Sequence, residues 1–465
     1  MVRHILFLTG SLAEDRLRQV LDSLHPLPFE ARIVNLGVKV AALATTEIVL
    51  RRLDSARGAD LVLLPGRFRG DLGILATHFG TRFERGPDEL EDLPQFFQRQ
   101  ARPLDLSRHD TRIFAEIVDA PSRDTGAILA KATELRAEGA DIIDLGCLPD
   151  TPFPHLEEAV AALHGAGFAV SVDSLNADEL RRANRAGADY LLSLTEETLH
   201  LADEGDAVPV LIPTTPQDLA SLARAIDRMT RRGRRFLVDP ILEPIHHGFT
   251  DSLLRYRTVR ERWPDAEILM GIGNVTELTD ADTPGVTAVL MGVVSELRIA
   301  NVLAVQVSPH CRRAIREFDA ARRQFFAARA ARSMPRGFGS GLLCLRDRRP
   351  FVRSAEQIAE TATQIRDPNY RIEVSAEGIH LYNRDGHHLA SDPFDLFPRL
   401  DPGTDAGHAF YLGVELARAQ IAWQLGKRYA QDSALRWGVA TDSPINDQAG
   451  DQAGFQAEGP TRRCP

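Results

Sequence analysis

The chain has 465 residues, 44% of them hydrophobic and 26% charged, and a formal net charge of −10. This is the composition of a globular protein with room for two or three domains, and its negative sign argues against nonspecific nucleic-acid binding. The four cysteines (Cys147, Cys311, Cys344, Cys464) form no CxxC pair and suggest neither a zinc knuckle nor a disulfide framework.

The N-terminal MVRHILFLTG reads as a strand and lacks the long apolar region and cleavage site of a leader. No apolar run is long enough to cross a bilayer, so a cytoplasmic protein with no membrane and no nucleic-acid partner is expected. Residues 1–96 then alternate strand and helix: HILFLTG, LAEDRLRQVLDSL, EARIVNLGV, TTEIVLRRLDS and ADLVLLPGRFRGD. That order predicts a small parallel α/β domain, with Thr9-Gly10-Ser11 and Pro65-Gly66 at the strand ends. Those glycines fit neither GxGxxG nor a P-loop, and simple turns account for them. An Arg-, Gln- and Asp-rich linker is expected over 97–111.

Between 113 and 308 a single unit recurs, within a barrel domain expected over 112–335. An apolar run ends on a polar residue, and a helical stretch follows. The runs are IFAEIVD, ADIIDLG, FAVSVDS, ADYLLSL, VPVLIPT, RFLVDPI, EILMGIGN and NVLAVQVS. Eight βα units predict a closed (β/α)8 TIM barrel, whose chemistry sits at the C-terminal strand ends. Those ends carry Asp119, Asp144, Asp173, Ser193, Thr214, Asp239 and Asn274. Several carboxylates around one mouth would grip an amide-like, proton-donating ligand. The same acids could instead cap the helices that follow, as Asp173-Ser174 before LNADELRRA illustrates. Only three lysines exist (Lys39, Lys131, Lys427), and the barrel's Lys131 sits inside a helix, which excludes a Schiff-base lysine at the mouth. Adjacent His246-His247 read as a loop over the mouth rather than a metal pair, and Cys147 has no obvious activating base.

After the barrel, CRRAIREFDAARRQFFAARAARS predicts a basic amphipathic helix whose arginine face is solvated or packed on a neighbouring domain. Residues 340–440 predict an α+β domain, with strands GLLCLRD and YRIEVSAEGIHLYNRDG and helix HAFYLGVELARAQIAWQLGKRYA. The polar stretch 441–465 predicts a disordered tail. The fold class is therefore α/β: a central barrel flanked by a small N-terminal parallel α/β domain and a C-terminal α+β domain.

The ordered motifs GADIIDLG (139–146), VSVDS (170–174), GADYLLS (187–193) and FLVDP (236–240) resemble the GADIIDIGG, VSVDT, GADIIND and DPG stretches of dihydropteroate synthases. The resemblance spans about 200 residues and marks the pterin-binding family, which also includes methyltetrahydropterin-dependent corrinoid methyltransferases. The three-part chain looks like the dihydropteroate-synthase-like proteins of organisms that make tetrahydromethanopterin. Its C-terminal stretch resembles a domain of unknown function found in them.

That resemblance implies Asp173 and Asp239 as pterin contacts, with Asp144 beside them. It places Asp119 where synthases carry an Asn that contacts diphosphate or Mg2+. Ser193 falls at the acid of IIND and Leu192 at its Asn, so the partner there is missing or replaced. MGIGNVTEL lacks the SRK-type lysine of synthases and resembles the GxSNVS loop of the methyltransferase branch, with Asn274 at the pterin-contacting Asn. VQVSPHCRR stands where synthases have RxHD, so His310, Arg312 or Arg313 would take the diphosphate. The implied activity joins a hydroxymethyl-dihydropterin diphosphate to an arylamine in tetrahydromethanopterin biosynthesis. Catalytic Asp119, Asp173 and Asp239, a Mg2+ ion on Asp119 and a homodimer are expected with it. The rivals are a corrinoid methyltransferase and a pterin-carrying protein without catalysis.

Overall fold

A computed structural model of the protein describes residues 3–24, 27, 29–56, 58–97 and 105–441. Positions 98–104 of the expected linker, the expected tail from 442 onward and Cys464 lie outside the described residues. The residues up to Thr279, with Val289–Val305 and Ala321–Gly339, form one compact unit; Asp280–Ala288, Gln306–Ala320 and the residues from Ser340 onward form a second.

In the first unit, β1 (Arg3–Thr9), β2 (Phe29–Asn35), β3 (Leu61–Leu64) and β4 (Phe83–Arg85) make a parallel sheet in the order β2-β1-β3-β4. Alternate residues of β1 and β3 feed two separate cores. Leu6, Leu8, Val62 and Leu64 pack on one face. Ile5, Phe7, Leu61 and Leu63 pack on the other. A parallel strand covered on both faces is apolar on both, which is why HILFLT and LVLL read as continuous apolar runs.

All eight expected barrel runs are strands: β5 (Arg112–Ile117), β6 (Ile142–Gly146), β7 (Ala169–Asp173), β8 (Tyr190–Leu194), β9 (Val208–Leu211), β10 (Leu237–Val238), β11 (Glu267–Gly271) and β12 (Asn301–Ala304). They close as β10-β11-β12-β5-β6-β7-β8-β9. The two GAD motifs supply the joints. Gly139 (φ +119°) and Gly187 (φ +88°) take the left-handed turn out of a helix. The aspartate two residues later accepts a backbone N–H from the adjoining strand: Ile113 N–H to Asp141 Oδ2 at 2.7 Å and Val170 N–H to Asp189 Oδ2 at 2.7 Å. Those two acids thus pin strand starts and leave the ligand end to others.

The barrel interior is layered. At the N-terminal end Arg112 donates to Asn301 (2.9 Å), Tyr190 (2.8 Å) and Glu267 (2.8 Å), and Arg235 also grips Glu267, so polar side chains close that end. An apolar layer of Phe114, Ile142, Tyr190, Leu192, Val210, Leu237 and Leu269 fills the middle. Above it lie the acids described below. The helix Ala314–Ala330 follows the barrel, and its arginine face is partly spent on it. Arg322 is buried and donates to Thr111 O, Gly139 O and Asp141, so the expectation of a solvated or domain-facing arginine stripe is corrected at that residue.

In the second unit β13 (Arg371–Ser375), β14 (Gly378–Asn383) and β15 (Gly386–Ala390) form an antiparallel meander. The helix Ala406–Leu425 packs on it through Leu412, Leu416 and Ala419. The segment GLLCLRD, expected as a strand, is irregular instead. Its carbonyls serve Lys427 Nζ (on Cys344 O, 2.9 Å) and Val439 N–H (on Gly341 O, 2.8 Å) rather than a ladder. Among the described residues no helix is long and apolar enough to cross a membrane.

Candidate functional site

The upper layer follows from strand register. Glu116 of β5 pairs with Asp144 of β6, and Asp144 with Ser171 of β7. Paired residues of a parallel sheet share a face, and so does the residue two further on. Glu116, Asp144, Ser171 and Asp173 therefore all face the interior. One carboxylate oxygen from each of Glu116, Asp144 and Asp173 lies within 4.8 Å of the others. Gly146 makes room for them: a Cβ there would stand 2.5 Å from Glu116 Oε1 and 3.0 Å from Val118 Cα.

Asp144 is fully buried, and neither of its oxygens has a hydrogen-bond partner. The Ser171 hydroxyl beside it is equally buried, makes no hydrogen bond of good geometry, and lies close enough to pull the Asp144 carboxyl down against its burial. Among the described residues no cation pairs with any of the three acids. Burial and the neighbouring charges of Asp173 and Glu116 hold Asp144 well above the usual carboxylate range. Burial, then Asp173, pushes Glu116 up to about 7. Burial, then Asp239, pushes Asp173 up to about 7. Cys147, next to this group, is held as the thiol by burial and the Glu179 carboxylate, which argues against a nucleophile.

Asp239 ends β10 and is held from two sides. Its Oδ1 accepts the Tyr256 hydroxyl at 2.6 Å and the Ile241 N–H at 2.7 Å. The second bond bends the chain sharply, and Ile241 sits at φ +65°, a conformation a β-branched residue rarely adopts. Arg255 holds that turn by donating to Pro240 O (3.1 Å), Ile241 O (2.8 Å) and Glu243 (2.8 Å). Oδ2 accepts no hydrogen bond from the described residues, and Gly271 leaves space before it, its ideal Cβ 3.9 Å away. Burial pushes Asp239 up to about 6, against the pull of Tyr256, the Ile241 N–H and Arg255. At neutral pH it is an ionised acceptor with one oxygen open to the cup.

Not every expected residue joins this cup. Asp119 lies on the loop after β5, half-buried, and its Oδ1 takes Arg123 Nε at 2.7 Å. A Mg2+ ion on Asp119, as expected from the sequence, would have to displace that guanidinium. The residue that faces Asp173 across the ladder is Leu192, with Ser193 half-buried beyond it. Asn274 is exposed in the short helix Gly273–Thr276, and its amide donates to Leu242 O at 2.7 Å. Thr214, His246 and His247 are exposed. His310, Arg312 and Arg313 belong to the second unit, around the 3-10 turn Pro309–Cys311. Sequence reasoning missed Glu116, Ser171, Tyr256, Arg255 and Arg123. Glu116 left a signal, a charged residue at the inward period of an apolar strand. Tyr256 and Arg255 lie in an ordinary amphipathic helix and left none.

A family model described as a family of unknown function (DUF6513) matches residues 3–88, the N-terminal sheet. An uncharacterized protein of Methanocaldococcus jannaschii is 26% identical over 530 aligned positions, covering 93% of this chain and 99% of its own. Among solved structures, the Yersinia pestis dihydropteroate synthase with a sulfonamide drug complex aligns at 16% identity and TM-score 0.38, over 49% of this chain and 96% of its own. The Anaplasma phagocytophilum dihydropteroate synthase with bound 6-hydroxymethylpterin-monophosphate aligns at 17% identity and TM-score 0.36, over 48% and 98%.

Proposed function

We propose that the first unit's barrel binds a reduced pterin at Asp239 and joins it, through its hydroxymethyl-derived carbon, to an arylamine, the chemistry the motif resemblance implies. The observation that carries this reading is Asp239: a carboxylate fixed through Oδ1, with Oδ2 open to the cup. A pterin presents an exocyclic NH2 and a ring N–H side by side, and an ionised carboxylate accepts both. The apolar layer beneath, with Leu192 facing Asp173, suits the flat face of a bicyclic ring.

In the proposed reaction the arylamine nitrogen forms a bond to the pterin methylene carbon as the carbon–oxygen bond to diphosphate breaks. The amine loses its proton to water. Little acid–base work is asked of the protein. Its part is to hold the pterin, align the amine and stabilise the leaving diphosphate. Arg123, on the loop after β5, supplies a guanidinium on that face of the barrel once it exchanges Asp119 for the phosphate. Tetrahydromethanopterin biosynthesis is the proposed setting. The methyltransferase alternative leans on Asn274, whose amide donor is already engaged by Leu242.

Calorimetric titration with a 6-hydroxymethylpterin, in the presence of a chelator, tests the site. Asp239→Asn should lose at least about tenfold in affinity. Equal binding by both proteins, or binding by neither, ends the reading. Diphosphate release from the dihydropterin diphosphate, dependent on an added arylamine, tests the chemistry.

A further inference from the structure

We infer that Glu116, Asp144 and Asp173, together with the Ser171 hydroxyl, form a divalent-cation site on the floor of the barrel cup. The motif resemblance implies Asp173 as a pterin contact and calls for no ion here; the pterin assignment above rests on Asp239.

Convergence alone would not carry this, since acids gather in many mouths without a metal. Two further observations point to a ligand. Asp144 is wholly buried with neither oxygen in a hydrogen bond of good geometry, a state that buried polar groups rarely keep. Ser171 is also wholly buried, and its unpartnered hydroxyl lies next to that carboxylate, on the same interior face. Two adjacent buried side chains thus point into one small space with no partner beyond each other. An ion supplies further coordination to both.

The geometry and the donors indicate the kind of ion. Oxygens on one Mg2+ or Ca2+ stand about 2.0–2.6 Å from it, so two of them are at most about 4–5 Å apart. The observed limit of 4.8 Å lies within that span. The donor set is all oxygen, with no imidazole or thiolate among the ligating groups, which favours Mg2+, Ca2+ or Mn2+ over Zn2+ or Cu2+. Cys147 is not among these convergent groups. The absence of a cationic side chain among the described residues leaves the negative charge for the ion. Asp239 is not one of the converging groups; its Oδ1 is committed to Tyr256 and Ile241, and its Oδ2 remains available for the organic ligand.

The test uses the full chain without pterin, so its outcome is independent of the proposed transferase function. Chelator-treated protein is titrated with MnCl2, followed calorimetrically and by the fall of the free-Mn2+ electron paramagnetic resonance signal. Melting curves are recorded in MgCl2, CaCl2 and MnCl2. One Mn2+ per chain should bind saturably and raise the melting temperature. Glu116→Gln and Asp144→Asn should each weaken Mn2+ binding by at least about tenfold and abolish the melting shift. No saturable binding to the wild type, or equal binding by folded variants, overturns the site. Should both variants fail to fold, anomalous scattering from Mn2+-soaked wild-type crystals decides. A peak coordinated by the three carboxylates supports the site, and a peak elsewhere or none refutes it.

Discussion

The Tyr256 phenol donates to Asp239 Oδ1 across 2.6 Å, and Oδ2 of the same carboxylate takes no hydrogen bond from the described residues. Tyr256 is fully buried, so the bond is formed away from water. Hydrogen bonds to charged groups contribute about 1.5–3 kcal/mol. Tyr256→Phe should therefore weaken pterin binding about tenfold while leaving the Ile241 N–H contact in place. Titration calorimetry on the variant checks this, with circular dichroism as the control for folding. Unchanged affinity would show that the phenol does not orient the acid.

Pterin binding should follow the ionisation of Asp239. Burial raises this acid to about 6, and only its ionised form accepts two N–H donors. Affinity should hold above pH 7 and fall by about tenfold per unit below pH 6. The same shift enters stability with a definite sign. The folded chain holds this proton up to a higher pH than the unfolded chain, so the group's contribution declines as pH rises from about 4 to 6. Asp239→Asn should remove both steps, visible as a flat affinity profile and a smaller slope of unfolding free energy over that range.

Gly146→Ala should disturb Glu116 specifically. The added methyl would sit 2.5 Å from Glu116 Oε1, with backbone at 3.0 Å on the other side. The carboxylate must swing away, since Val118 Cα cannot. We expect a folded protein, destabilised by about 1–3 kcal/mol, that has lost Mn2+ binding and keeps pterin binding within a few-fold. Loss of both ligands together would show that the two sites are one.

The second unit carries an acid-sensitive element unrelated to the barrel. Ser375 gives its hydroxyl hydrogen to Glu377 at 2.6 Å, so it accepts from His380 Nε2 at 2.8 Å. His380 Nδ1 is then an acceptor for His387 Nε2 at 2.8 Å, which requires a neutral ring. Burial, reinforced by His387, lowers His380 from 6.5 to about 4. Between those values the unfolded chain takes a proton that the folded chain refuses. Stability is therefore complete above pH 6.5 and is lost as pH falls toward 4, by roughly 2–3 kcal/mol. Urea unfolding of the full chain, followed by a probe in this unit, should show that loss in the wild type and a shallower one in His380→Gln.

The barrel was legible because parallel strands buried on both faces are apolar throughout, and polar residues can then appear only near their ends. The eight runs ending in residues such as Asp144, Asp173 and Asp239 carry that signature. The short edge strand Phe83–Arg85 did not, because three residues are too few for a period. The segment from Gly341 to Asp347 misled for the opposite reason: its apolar alternation is satisfied by packing, while its carbonyls serve Lys427 and Val439. Within the site, strand-end acids could be named from the chain alone. Glu116 could not be ranked above Asp119, because register across β5 and β6 decides which of them faces inward. Tyr256 and Arg255 act through the turn at Ile241, a three-dimensional relationship that no spacing records.

The knot of side chains around Arg112 has a bearing on traffic. With Arg112, Tyr190, Asn301 and Glu267 tied together at that end and the apolar layer above them, the strands' opposite end is left as the approach to the acids.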